Sequence, residues 1–361
     1  MTALHPSTTP LPAARPAGAT SNPAASTIRR SRPVMIWATI GAAQLVLAAY
    51  CVIRWAASGQ MTATNPGPDT LNTSATIAMW VSEIGGMVGA FAITYVWVLR
   101  PWVRNRRLSS DGMLVITCFA ISIPNDILLT YTSPSFSYNS HYLNLGSWLG
   151  QVPGVLTPNA HRIPEPLLMV VPAYGWYVFL MVLFGCWLMR RLQATWPNLR
   201  YAGLLGIVFA IFIVLDLACE YEFTGLQLEH YTGTIRQLTL FGGSSHRIPL
   251  YEPVFWAFFW TAITALRFSR DDRGLTLVER GVTELKVSDR TATAMRQLAL
   301  IGAGMAIFTV CYNVPWQLAS AHNNSYPKDE PSYFVNGVCD PDPAALTSAL
   351  SPCPGAGARQ R

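Results

Sequence analysis

Seven stretches of the chain are apolar almost without interruption: residues 34–56, 76–99, 112–131, 167–189, 201–220, 251–267 and 297–316. Most reach the roughly 20 residues a helix needs to cross a hydrocarbon core. Only 12% of the chain is charged, where a soluble chain carries roughly 25%, and that deficit points to a lipid-embedded chain. The pattern therefore predicts an all-α fold, a polytopic membrane helical bundle of about seven transmembrane helices. The sixth run is the shortest. Its Phe255, Trp256, Phe258, Phe259 and Trp260 suit a membrane helix with interfacial ends.

The polar remainder divides around these runs. Residues 1–33 are rich in Pro, Ala, Ser and Thr and lack an apolar signal-peptide core, so they read as a disordered cytoplasmic tail ahead of an uncleaved anchor. Residues 34–316 form the transmembrane domain. Within it, 268–296 is a charged cytoplasmic connector expected to carry an amphipathic helix. Residues 317–361 form an outer C-terminal tail, partly disordered from about residue 337 onward.

Charge sets the orientation. Arginines and lysine cluster before the first run, after the second, between the fourth and fifth and before the seventh. The intervening loops 57–75, 132–166 and 221–250 hold only Arg162, Arg236 and Arg247. The positive-inside rule places the N-terminus in the cytoplasm and those three loops outside. The chain is 51% hydrophobic and 12% charged with a net charge of +6, and its basic residues follow topology rather than forming a patch. No nucleic-acid partner is implied. Five of seven cysteines lie in or beside apolar runs and read as packing residues. Cys339 and Cys353 remain as a possible disulfide pair.

An internal repeat carries the chemistry. One outer loop ends His161-Arg162-Ile163-Pro164-Glu165-Pro166, another His246-Arg247-Ile248-Pro249-Leu250-Tyr251-Glu252-Pro253, and each leads into an apolar helix. The match extends backward: Asp126 precedes His141 by 15 residues, and Asp216 precedes His230 by 14. The unit is an outward helix with a buried acid, a long outer loop, the motif and an inward helix. Two parallel copies, spans 3–4 and 5–6, make a pseudo-symmetric core.

Carboxylates inside a membrane are costly and point to function. Asp126, Asp216 and Glu220, the last four residues beyond Asp216 on the same helix face, are the candidate catalytic acids. Glu83, His161, Arg162, Glu165, Glu222, His246, Arg247 and Glu252 are candidates for substrate binding or proton relay. Structural readings stand beside these. Arg162–Glu165 and Arg247–Glu252 suit ion pairs at helix starts, Asp126 beside Pro124 and Asn125 suits a kinked backbone, and Glu83 beside Gly85 and Gly89 suits a helix clip. Histidines 141, 161, 230 and 246 have no metal-ligand spacing, so no metal is expected. Nucleotide-loop, dinucleotide, haem and nucleophile-elbow motifs are absent from the sequence, so no cofactor is expected. What remains suits acid–base chemistry on an apolar substrate.

Over residues 34–335 the chain resembles the AveC-like spirocyclases, actinobacterial membrane proteins. The resemblance rests on the seven-span layout, the Pro124-Asn125-Asp126 helix end, the loop through His141-Tyr142-Leu143-Asn144, the two His-Arg-Ile-Pro blocks and Glu220-Tyr221-Glu222-Phe223. It implies spiroketal formation in a polyketide from a dihydroxy-ketone with loss of water, with dehydration of the product in some members. It implies a lipophilic polyketide substrate, the bacterial cytoplasmic membrane as the setting and no obligatory protein partner. Two other classes fit the same residues: a proton-coupled transporter of a lipophilic product, and a binding partner without turnover.

Overall fold

Long apolar runs with few breakers become long helices, and polar side chains at their starts fix where they begin. The computed structural model describes residues 32–326 and 330–339. Helix α1 spans Pro33–Ala57, with proline in its first turn. Helix α2 spans Thr73–Asn105, and its first turn is capped by Asn72, whose side chain accepts from the Ala75 N–H. Helix α3 spans Ser110–Thr130 and is capped in the same way by Ser109. Then come α4, Val170–Thr195; α5, Tyr201–Gly225; α6, Tyr251–Phe268; and α7, Asp289–Ser320.

Six of these helices are long and apolar enough to cross a membrane. The 18-residue α6 is not among the six: Glu252, Arg267 and its Tyr and Trp residues dilute its hydropathy. It nevertheless packs inside the bundle, against α4, α5 and α7. The protein is thus a helical membrane protein.

Burial ranks the helices. Only 22% of the spanning window of α1 or α5 lies inside the fold, against 67% for α3. Helix α3 is therefore the centre, while α1, α2 and α5 turn Val46, Ile53, Trp80, Val88, Phe91 and Val214 outward, as lipid contact allows. Small residues let α1 and α7 cross closely. A Cβ on Gly41 would sit 2.1 Å from the Leu298 carbonyl oxygen, and one on Gly302 would sit 2.3 Å from that of Trp37.

Four helices leave α geometry. Pro124 removes an N–H from α3, and the helix tightens to a 3-10 turn over Asp126–Thr130. The Asn125 amide bonds the Ile121 carbonyl at 2.9 Å. Helix α4 widens to π geometry at Tyr174–Val178, α7 does so at Thr309–Asn313, and α2 does so at Thr94–Leu99. Such bulges cost helix regularity and concentrate at functional sites.

The long loops all cover one end of the bundle. Strand β1, Ser137–Tyr138, pairs antiparallel with β2, Glu229–His230, and so ties together the loops of the two sequence repeats. A second pair, β3 (Thr239–Leu240) with β4 (Ile248–Pro249), closes the second loop. A short helix α8, Ser332–Val335, crosses this cover, where the Tyr333 carbonyl accepts from the Ser140 N–H and hydroxyl.

Two expectations change. The segment before α7 carries no amphipathic helix of its own. It holds two one-turn 3-10 pieces, at Leu277–Glu279 and Val282–Glu284, and α7 itself begins at Asp289. The physical reason is a pair of local caps: Glu279 closes a capping box on Thr276, and Ser288 starts the long helix. The C-terminal stretch through residue 339 packs onto the loops rather than trailing free. Cys339 is disulfide-bonded; the expected partner Cys353 lies outside the described residues, as do residues 1–31 and 340–361.

Candidate active site

Helix α5 shows how a lipid-facing helix delivers acids inward. Its buried residues are Leu204, Val208, Phe212, Asp216, Glu220 and Thr224, one stripe at every fourth position. The last turns of that stripe are polar and point at the kinked end of α3. There Asp126 and Asp216, one from each repeat, line a single cavity of about 100 Å³ together with Glu220, Glu229 and Glu252. No Lys, Arg or His lines it among the described residues.

Each candidate acid is hydrogen-bonded to a second carboxyl. Asp126 bonds Glu165, Asp216 bonds Glu252, and Glu220 bonds Glu229. Two carboxyls in such contact need a proton between them, because two buried like charges cannot both ionise. The repeat thus acquires a meaning: the Glu that ends each His-Arg-Ile-Pro motif reaches the Asp of its own repeat.

Phenols distinguish the three pairs. Tyr174 donates to Asp126 Oδ1 at 2.8 Å, and Tyr138 donates to Asp126 Oδ2 at 3.2 Å. Tyr231 donates to Glu220 Oε2 at 2.5 Å, and Tyr312 to Glu252 Oε1 at 2.8 Å. The π segments of α4 and α7 aim Tyr174 and Tyr312. Asp126, which receives two phenols, is the member built to hold negative charge. Its partner Glu165 in the loop is pushed well above the usual carboxylate range, first by burial and then by the neighbouring Asp126. Glu229 is raised in the same way, by burial and then by Glu220. Burial therefore favours the protonated form of both loop glutamates. Apart from the paired carboxyls themselves, no described group donates to the buried Asp216 Oδ2, Glu229 Oε1 or Glu252 Oε2.

Asp216, Glu220 and Glu252 offer oxygens within 4.8 Å of one another, the spacing of a cation site. It is the set among the described residues that could hold a metal. The four outer histidines do not converge on it.

The other sequence candidates lie apart from the cavity. Glu83 of α2 accepts from the Leu143 N–H at 2.8 Å, clipping helix to loop. His161 and Arg162 stay half-buried in the first loop, where the Arg162 carbonyl accepts from Thr64. His161 is shifted towards its neutral form by burial and then by Arg162. Glu222 is exposed. His246 packs edge-on against Tyr221 and Phe241. Arg247 is fully buried, bonded through Nε to the Ser244 carbonyl and through Nη1 to that of Ser325. The ion-pair reading of the motifs is replaced, because Glu165 and Glu252 turn inward to the aspartates while Arg162 and Arg247 remain in the loops. His230, also fully buried, is held by Glu330 at 2.8 Å.

Sequence reasoning missed Glu229 and the tyrosines Tyr138, Tyr231 and Tyr312. The available signal was adjacency: Glu229 and Tyr231 flank His230, already marked by the repeat. The cavity wall also uses Tyr174, Tyr177, Trp256 and Trp260, which the sequence offers equally as lipid-belt aromatics.

No curated protein and no solved structure matches the chain. The family model described as "Spirocyclase AveC-like" matches residues 105–334, well over half of the chain and spanning both repeats, all three carboxyl pairs and their four tyrosines. The chain belongs to the AveC-like spirocyclase family.

Proposed function

We propose that the protein closes a spiroketal from a dihydroxy-ketone polyketide by carboxyl acid–base catalysis inside the bilayer. The observation that carries this reading is a set of buried carboxyl pairs around one cavity, in which Asp126 receives two phenol donors where Glu220 and Glu252 receive one each. Such a cavity offers a proton donor and a fixed anion at once, as two carboxylates do around a glycosyl cation.

The steps balance as follows. One substrate hydroxyl adds to the ketone carbon, a carboxylate takes its proton, and the ketone oxygen takes a proton from a carboxylic acid, giving a hemiketal. A protonated acid then donates to the hemiketal hydroxyl, which leaves as water. Asp126 stabilises the resulting oxocarbenium ion. The second hydroxyl attacks that carbon and gives its proton to Asp126. Asp216 and Glu220, with their partners Glu252 and Glu229, are the donors, since all four line the cavity across from Asp126.

A space of about 100 Å³ is below the roughly 300–1,000 Å³ of a pocket for a drug-sized ligand. It accommodates the reacting carbon and its oxygens, while the rest of the chain lies outside. A narrow fixed cavity also selects one spiro configuration. Dehydration of the product would use the same donor and acceptor. On this reading the carboxyl cluster works in the outer half of a bacterial cytoplasmic membrane, as the basic loops at the opposite end of the bundle support.

The test is turnover without a gradient. Purified protein in detergent is incubated with dihydroxy-ketone precursors, and products are separated by chiral chromatography with mass spectrometry. A single spiro diastereomer one water lighter supports a cyclase. Unchanged precursor, or the ratio seen without protein, points instead to transport or binding. Loss of a second water would add the dehydratase.

A further inference from the structure

The walls of the cavity differ in how they meet the outside. On the loop side Tyr138 and Glu229 of the β1–β2 pair and their neighbours Phe136 and Tyr231 are all buried, and Tyr231 is 1% exposed. Helix α8 adds buried Tyr333 and Phe334 to the same cover. The half-exposed lining residues are Trp256, which leans on Phe308 and Tyr312, and four others on two facing helices. Ala173 and Tyr177 lie one turn apart on α4, and Cys219 and Phe223 lie one turn apart on α5.

That seam is weakly closed. Helix α5 packs chiefly on α6, and α4 is π-helical over Tyr174–Val178. A polar contact spans the seam, where Tyr177 Oη lies 3.3 Å from Cys219 Sγ. Beyond the seam α5 presents Val214 and Tyr221, at 66% and 53% exposure, a surface for lipid and not for water.

We propose that the ligand reaches the carboxyl cluster sideways from the lipid, through the seam between α4 and α5, with Tyr177 and Cys219 as its latch. The occupant is a free amphiphilic chain lying in one leaflet, with its oxygenated segment at carboxyl depth. The identity of that chain as a dihydroxy-ketone rests on the spirocyclase reading; the route does not. Because the loop end is sealed, a substrate still tethered to a soluble carrier would not reach the acids, so a release reaction must come first.

The full chain is reconstituted in phosphatidylglycerol–phosphatidylethanolamine vesicles with a long-chain dihydroxy-ketone carrying a diazirine. After photolysis, adducts are mapped by proteolysis and mass spectrometry. The expected adducts fall on Tyr177, Cys219 and Phe223. They are competed by the unlabelled ketone and fall about tenfold in Cys219→Trp, equivalent to roughly 1.4 kcal/mol of lost binding. Thermal unfolding checks that variant's fold, and Phe223→Trp replaces it if it does not fold. Adducts confined to loop residues such as His141 or Tyr333, adducts that free ketone does not compete, or adducts unchanged in the folded variant would overturn the route. Competed adducts at the seam without turnover would instead sink the cyclase reading and leave the route standing. Turnover with loop adducts alone would do the reverse.

Discussion

Asp126 and Glu165 touch, yet isosteric amides at the two positions should behave oppositely. Asp126 accepts from Tyr174 and Tyr138 and faces the cavity. Asparagine there removes the charge and turns an amide N–H₂ against one of the phenols. If Asp126 is the base and the cation's counter-charge, the loss is that of a general base, about 100- to 10,000-fold, or ~2.7–5.5 kcal/mol of transition-state stabilisation. Glu165 sits behind Asp126, does not line the cavity, and burial beside Asp126 favours its acid form. Its acid O–H donates to Asp126, and a glutamine N–H can donate in its place. Glu165→Gln should therefore keep activity to within about tenfold, the ~1 kcal/mol scale of exchanging one neutral donor for another. The assay is spiroketal formation by the purified variants, normalised to folded protein by thermal unfolding. A Glu165→Gln variant as inactive as Asp126→Asn, or an Asp126→Asn variant within a few-fold of wild type, would refute the assignment of charge within the pair.

Other perturbations separate the site from its frame. Tyr174→Phe removes the shorter phenol bond to Asp126, and a bond to a charged group is worth about 1.5–3 kcal/mol; turnover should fall roughly 10- to 150-fold with the unfolding midpoint little changed. Glu229 has a raised folded-state value, so the folded state holds a proton that the unfolded state releases above 4.5. Its stability contribution is complete below that value and is lost as pH rises towards the folded one. Unfolding midpoints measured across pH should therefore fall less steeply on the alkaline side in Glu229→Gln than in wild type. Gly41→Ala places a methyl 2.1 Å from the Leu298 carbonyl oxygen and should destabilise by about 1–3 kcal/mol, seen as a lower unfolding midpoint with turnover per folded molecule retained.

Much of the fold was legible because its causes are local. Apolar runs of spanning length, clustered arginines and capping residues such as Ser109 lie in the chain for anyone to read. Asp126 and Asp216 were legible for the same reason, as lone acids in apolar surroundings, and the duplicated His-Arg-Ile-Pro blocks marked the glutamates that meet them. The motif histidines and arginines were over-read. Their charge makes them conspicuous, but loop carbonyls hold Arg247 and aromatic rings hold His246 away from the cavity, while the glutamates turn inward. Tyr138 was illegible as a site residue, because only the long-range β1–β2 pairing brings it over the cavity, and Glu229 was marked by nothing but its place beside His230. The π segments that aim Tyr174 and Tyr312 left no composition signal either, since their residues are ordinary for a membrane helix.

The most direct test of the account gives the purified protein a dihydroxy-ketone precursor labelled with heavy oxygen at the ketone and follows label and stereochemistry together. The account predicts that the label leaves as water while one spiro diastereomer forms, and that Asp126→Asn abolishes the acceleration and the selectivity. Label retained in the product, or a diastereomer ratio and rate equal to those without protein, would contradict it.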